Sequence, residues 1–155
     1  LGKGEHIIST LQSKLGENAV AVTASTGIAA THIQGTTIHS WAGIGLGRGA
    51  IQKIVGKVTR NREASKRWKA ARCLIIDEVS MIDGKLFELL DAVGRSVRGL
   101  DREPFGGVRL VMCGDFFQLP PVSLSYSGFA FASTAWKNAQ IQTFELQTIV
   151  PHQGG

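Results

Sequence analysis

Two segments carry residue types suited to phosphoryl transfer. Leu74 to Met81 reads LIIDEVSM, and Leu110 to Val122 reads LVMCGDFFQLPPV. In each, an apolar run of the length of one buried parallel strand stops abruptly at acidic or amide side chains, and ligands of open α/β sheets gather beyond such strand ends. Asp77 and Glu78, leaving the first strand, have the form of a Walker B pair. The aspartate would hold Mg²⁺ through its water shell, and the glutamate would orient the attacking water. Gln118, after the second run, is placed to reach a γ-phosphate. Each segment alone has a plainer reading. IIDE also suits a solvated turn or helix cap, and GDFFQLPP a loop stiffened by Pro120 and Pro121 with Gly114 permitting a tight exit. Found together in this order and spacing, they favour a nucleotide site.

The chain that must position these groups has 155 residues and 43% apolar content, enough to fill the core of one domain. No window approaches the roughly 20 apolar residues that span a bilayer, and no signal-peptide layout opens the chain, so it reads as soluble. Cys73 and Cys113 fall inside expected buried strands. That favours reduced structural thiols in an intracellular compartment over a disulfide or a metal site. The net charge of +5 is unevenly spread: Arg48, Lys53, Lys57, Arg60, Arg62, Lys66, Arg67, Lys69 and Arg72 are opposed only by Glu63. Such a block suits a polyanion, and equally a solvated helix face.

Periodicity places the elements. Ile7, Ile8, Leu11 and Leu15 recur at helical spacing, which predicts a helix from about Gly4 to Leu15 with Gly16 as its stop. Ala19 to Thr23 reads as a strand. Ser25 to Ile33 reads as a tight turn and a short helix, in which Gly27 allows close approach of backbone to ligand. Gly35-Thr36-Thr37 reads as loop, and Gly43 to Gly49 as a glycine-dense segment that is mobile or follows a ligand surface. The basic block fits one or two exposed helices that build no core, and Trp41 is expected in the core rather than as a stacking platform. Arg72 to Asp77 is the second strand. Asp83 then caps a helix lined by Leu86, Leu89, Leu90, Val93 and Val97 and ended by Gly99. Leu100 to Gly107 is expected as loop, Val108 to Cys113 as a third strand, Thr134 to Asn138 as a short helix and Ile141 to Leu146 as a fourth strand. This alternation argues for a parallel, helix-covered α/β sheet.

The series TASTGIAA (Thr23 to Ala30), GTTIHSWAGIGLG (Gly35 to Gly47), LIIDEVSM and FGGVRLVMCGDFFQLPPV (Phe105 to Val122) resembles the first motor domain of the petite integration frequency (PIF) family of DNA helicases, over nearly the whole chain. The resemblance implies a P-loop NTPase fold, a RecA-like three-layer domain with a mostly parallel sheet, of which residues 1–155 form a partial copy. It implies a superfamily 1 motor using ATP and Mg²⁺ for 5′-to-3′ translocation on single-stranded DNA, with unwinding at duplex junctions. It further implies work in DNA repair, recombination and telomere maintenance, in the nucleus or mitochondrion. By motif, Lys3 corresponds to the P-loop lysine, flanked by Gly2 and Gly4. Asp77 corresponds to the Mg²⁺ aspartate, Glu78 to the catalytic glutamate and Gln118 to the γ-phosphate sensor. Thr26, Gly27, His39 and Ser40 match motifs lining the single-strand track. Hydroxyls and backbone amides bind phosphates without reading bases. For His39 the alternative is a ring satisfied by neighbouring loop backbone.

The chain also departs from that family pattern. A working P-loop has the form G-x-x-x-x-G-K-[ST], whose amides cradle phosphates and whose last hydroxyl ligates Mg²⁺. Here Leu1-Gly2-Lys3-Gly4 supplies little of the cradle and puts Gly4 at the hydroxyl position. The strand that leads into the loop is expected to be missing, leaving a gap or an edge in the sheet. After Leu146, Gln147 to Gln153 lacks the arginine that the family places against the γ-phosphate, and the second motor domain lies outside these residues. The expectation is a helicase domain by ancestry that, in isolation, binds nucleotide weakly and neither hydrolyses it nor unwinds DNA. The alternative is a nucleotide-independent single-strand-binding fragment, held by the basic block and the Thr26 and His39 loops and weakened steeply by salt. A P-loop ATPase that handles no nucleic acid is disfavoured, because TASTGIAA and GTTIHS have no evident use in it.

Overall fold

The computed structural model describes residues 3–114 and 134–138, with the side chains of Lys3, Gly4, Trp136 and Lys137 excepted. Four strands, β1 (Val20–Ala24), β2 (Thr36–Thr37), β3 (Cys73–Asp77) and β4 (Arg109–Met112), form one parallel sheet in the order β2-β1-β3-β4. Seven helices accompany them among the described residues: α1 (Lys3–Leu15), α2 (Gly27–His32), α3 (Ile38–Ala42), α4 (Ile51–Arg60), α5 (Arg62–Ala70), α6 (Gly84–Arg98) and α7 (Thr134–Asn138). None is long and apolar enough to cross a membrane.

The two-residue period of the strands divides their side chains between two helix layers. Val20, Cys73 and Ile75 meet Ile8, Leu11 and Leu15 of α1, and Ala24 meets Ala29 and Ala30 of α2. Ala21, Leu74 and Ile76 point the other way, into a larger core with Ile38, Val58, Trp68, Phe87 and Leu90 from α3 to α6. These are the three layers of an α/β domain. Asp83 caps α6 by accepting from the Leu86 N–H at 2.8 Å, and Gly99 ends it with a φ of 68°, as the sequence indicates.

Several elements differ from expectation. β1 lies one residue later than predicted, and Thr36–Thr37 is a strand rather than loop, because it pairs with the Thr23–Ala24 end of β1. Cys113 lies just past β4 and is half-buried, whereas Cys73 is buried. The glycine-dense segment is anchored at Ile44, which is buried in the main core. The basic block does build core: α4 buries Ile54, Val55 and Val58, and α5 buries Ala64 and Trp68. Its charges fill one side of each helix and leave the other apolar, which a tally of charge conceals. Trp41 packs in the core as expected, with its ring centroid 4.7 Å from that of Trp68. Among the described residues β4 lies at one edge of the sheet and β2 at the other. The expected strand Ile141 to Leu146 lies outside the described residues, as do Gly2, Gln118 and the segment Gln147 to Gln153.

A polar clamp sets the start of β4. Asp91, buried in α6, receives the Arg95 Nε–H at 3.0 Å from both oxygens and the Phe105 N–H at 2.8 Å. Phe105 thereby stays in the left-handed region, φ 53°, with its ring 5.0 Å from that of Phe87. Arg98 donates to the carbonyls of Gly106, Trp68 and Ala71, tying the same turn to the end of α5. Gly94 makes this approach possible, since a Cβ there would stand 2.7 Å from the Phe105 carbonyl oxygen and 2.8 Å from its carbon. Backbone cannot swing aside as a flexible side chain does. Gly94→Ala is therefore expected to destabilise the chain by about 1–3 kcal/mol despite alanine's better helix propensity. A urea midpoint unchanged or raised by the substitution would contradict this packing.

Candidate functional site

The parallel register brings the ends of three strands to one edge. Ala24 pairs with Thr37 on one side and with Asp77 on the other, so the chain leaves β1, β2 and β3 side by side. From these tips come the residues singled out by sequence: Thr26 and Gly27, His39 and Ser40, and Asp77 and Glu78.

Each exit is fixed locally. Thr26 is extended and caps α2, its hydroxyl oxygen accepting from the Ala29 N–H at 3.2 Å. Thr37 caps α3 in the same way through the Ser40 N–H at 3.2 Å. Gly27 and Ser40 are both exposed. Gly35 leads into β2 against the Val22 carbonyl, in a space that a Cβ would occupy. Asp77 is half-buried, and its Oδ1 accepts from the Glu78 N–H at 2.9 Å. Glu78 is exposed and left-handed, φ 56° and ψ 45°, a conformation uncommon for a residue with a side chain.

Hydrogen bonds on both sides hold Glu78 in that conformation. Its carbonyl accepts from the Met81 N–H at 3.0 Å and from the Ser25 hydroxyl at 2.9 Å. The next N–H, of Val79, donates to the Cys113 carbonyl at 3.0 Å, while the Ser25 N–H donates to the Asp77 carbonyl at 3.1 Å. Strained backbone persists where its surroundings over-determine it, and such positions cluster at functional sites. Ser25 is thus a site residue that sequence reading passed over. Its partners are backbone carbonyls some fifty positions away, and no side-chain pattern signals them.

The acidic pair fits Mg²⁺ by its donor chemistry. Mg²⁺ binds through one or two carboxylates with waters and substrate phosphates rather than through an all-protein cage. Asp77 Oδ1 accepts from the Glu78 N–H, and its second oxygen has no hydrogen-bond partner among the described residues. Nearby, burial and the Asp77 charge both push the Cys113 thiol above its ordinary pKa. Burial likewise raises Cys73, so both thiols stay protonated at neutral pH.

His39 is half-buried at the α3 end of the edge. Burial lowers its pKa, partly offset by the Asp83 carboxylate, so the ring is neutral at neutral pH. Arg67, part of the basic block, is engaged within the fold: its guanidinium donates to the Trp41 and Ser40 carbonyls at 2.9 and 3.2 Å.

Lys3 and Gly4 open α1. The end of α1 joins the start of β1 through Gly16–Ala19, so the helix runs back against the strands and directs its first turn toward the strand tips.

Comparison with known proteins places the sequence and the fold. A family model described as PIF1-like helicase matches residues 4–153. The chain is 47% identical over 151 residues to the ATP-dependent DNA helicase PIF1 of Saccharomyces cerevisiae, covering 96% of this chain and 18% of that protein. It is 40% identical over 146 residues to the human protein of the same name, covering 93% and 22%. Among solved structures it superposes on the Pif1 helicase of Candida albicans with a TM-score of 0.80 and 49% identity, over 86% of this chain and 30% of that one. A Bacteroides Pif1 in complex with ADP-AlF3 and single-stranded DNA matches with a TM-score of 0.69 and 31% identity, over 86% and 33%. The chain thus spans about a fifth of the length of these curated relatives. With a family model over nearly the whole chain and relatives 40–47% identical along it, the chain belongs to the PIF1-like helicase family.

Proposed function

We propose that these residues form part of the first RecA-like motor domain of an ATP-dependent DNA helicase, which couples ATP hydrolysis to 5′-to-3′ movement on single-stranded DNA and to unwinding at duplex junctions. The observation that carries this is the contact of Ser25 with both Asp77 and Glu78. It joins the loop that would touch DNA to the pair that would direct hydrolysis. The ADP-AlF3 and single-stranded DNA held together by the Bacteroides relative support the same pairing of ligands.

In this reading Asp77 anchors the water shell of Mg²⁺, which when bound neutralises phosphate charge. Glu78, exposed beyond the strand tip, orients the attacking water and takes its proton. Lys3 with Gly2 and Gly4 contacts the phosphates, and Gln118 senses the γ-phosphate. Thr26, Gly27, His39 and Ser40 carry the strand by hydroxyl, amide and neutral imidazole contacts, which suit phosphates and sugars irrespective of sequence. Roles in repair, recombination and telomere maintenance, and a nuclear or mitochondrial location, follow from the family resemblance.

For the 155 residues alone, we infer weak Mg²⁺-dependent nucleotide binding and negligible turnover. Gly4 offers no metal-ligating hydroxyl, and an arginine of the kind absent from Gln147 to Gln153 is worth about 10³–10⁵ in rate.

Titration with a fluorescent ATP analogue should show saturable binding that needs Mg²⁺ and is lost in Asp77→Ala, with the far-ultraviolet spectrum unchanged. A folded chain that binds nothing would overturn the nucleotide site. Hydrolysis that is robust in the unsubstituted chain and abolished by Glu78→Gln would overturn the inactivity of the isolated domain. Ser25→Ala should leave nucleotide and oligo-dT affinities each nearly intact while removing the effect of one ligand on the other, since coupling between sites is reciprocal. Coupling that survives the substitution would remove Ser25 from that role.

A further inference from the structure

Away from the strand-tip edge, the described surface carries one strongly charged feature. In α4, Lys53, Lys57 and Arg60 stand at i, i+4 and i+7, and in α5 Arg62, Lys66 and Lys69 repeat that spacing. Residues so spaced share one side of a helix. All are exposed, while the opposite sides are buried in the main core. At 1.5 Å per residue each row is about 10 Å long.

The two rows sit on a stiff support. Only Asn61 separates the helices, and its side-chain oxygen caps α5 through the Ala64 N–H at 3.2 Å. The buried Ser65 hydroxyl reaches the Val58 and Thr59 carbonyls at 3.0 Å, bracing the corner. Among the described residues none of these cations is in an ion pair, and Glu63 is the one acidic residue between Arg48 and Arg72. Like charges one helical turn apart along each row repel one another, and a polyanion relieves that repulsion.

The rest of the surface narrows the kind of polyanion. Neither helix exposes an aromatic or large aliphatic side chain, and the aromatic residue of the pair, Trp68, is fully buried. Proteins that hold single strands add aromatic faces on which bases stack. A surface offering charge alone fits a duplex, whose bases are turned inward and whose phosphates face outward. We propose that α4 and α5 form a second DNA-binding surface, which takes the phosphate backbone of duplex DNA without regard to sequence.

This surface adjoins the strand-tip edge. Arg67 and the Trp68 indole donate to the carbonyls of Ser40, Trp41 and Ala42, bolting α5 to the helix that carries His39 and Ser40. A strand along α3 and a duplex along α4 and α5 are then the two arms of one junction. Only the choice of DNA among polyphosphates rests on the proposed helicase function; the surface itself involves no nucleotide.

The test uses the 155-residue chain with a labelled blunt duplex and, separately, labelled oligo-dT, followed by anisotropy across a range of salt. Replacing both rows, K53Q/K57Q/R60Q with R62Q/K66Q/K69Q, should weaken duplex binding by about tenfold or more at low salt. It should also lower the slope of log affinity against log salt by about 0.9 for each phosphate no longer neutralised. Oligo-dT binding should change much less, and T26A/H39A should show the reverse pattern. Either triple variant alone should give about half the change in slope, which keeps the test available if the combined variant fails to fold. Duplex affinity and slope unchanged in folded variants would overturn the proposal, as would a parallel weakening of oligo-dT binding. Failure to bind the ATP analogue would count against the nucleotide site and leave this result standing.

Discussion

The domain depends on the backbone ladder that holds β3 between β1 and β4. Five consecutive residues of β3 pair with β1, and four of them pair with β4 on the other side. Because side chains alternate across a sheet, a slip of one residue would send Leu74 and Ile76 to the α1 layer and turn Cys73 and Ile75 into the larger core. It would also move Asp77 and Glu78 off the edge where the β1 and β2 exits lie. Register and chemistry are therefore one constraint: the same hydrogen bonds that sort the core deliver the acidic pair to the strand tips.

Beyond the ladder the constraint continues through single contacts. Glu78 occupies a left-handed conformation that costs of order 1–3 kcal/mol for a residue with a side chain. Ser25 and Cys113 hold the backbone there from neighbouring strands. Cys113 directly follows β4, whose start is set by the Asp91 and Arg98 clamp on Phe105 and Gly106. Packing around α6, some distance along the chain from the acidic pair, thus reaches the pair through strand placement. The main core and the strand-tip edge are mechanically continuous.

The basic residues divide into two populations that composition does not distinguish. Arg67 and Arg98 turn inward to hold backbone carbonyls, where a guanidinium's several donors can satisfy more than one acceptor. The rows on α4 and α5 turn outward and remain unpaired among the described residues. Inward arginines join helices to one another, and outward ones set the electrostatic character of the surface. Net charge alone describes neither role.

Much of this was legible in the sequence because it is local. The apolar run ending in Asp77-Glu78, the stripe of α6 between Asp83 and Gly99, and the short α7 are patterns of neighbouring residues, and local spacing decides them. The motifs carried by Thr26, His39 and the acidic pair likewise identify the family without a structure. What tertiary structure decided was contact between distant backbones. Thr36–Thr37 became a strand only because β1 lies beside it, and the charged α4 and α5 built core only because their apolar sides met α3 and α6. Ser25 joined the site because parallel pairing put the Asp77 and Glu78 carbonyls within its reach. Every residue has a carbonyl, so sequence contains no mark of which one a distant hydroxyl or guanidinium will meet; only the folded register selects it.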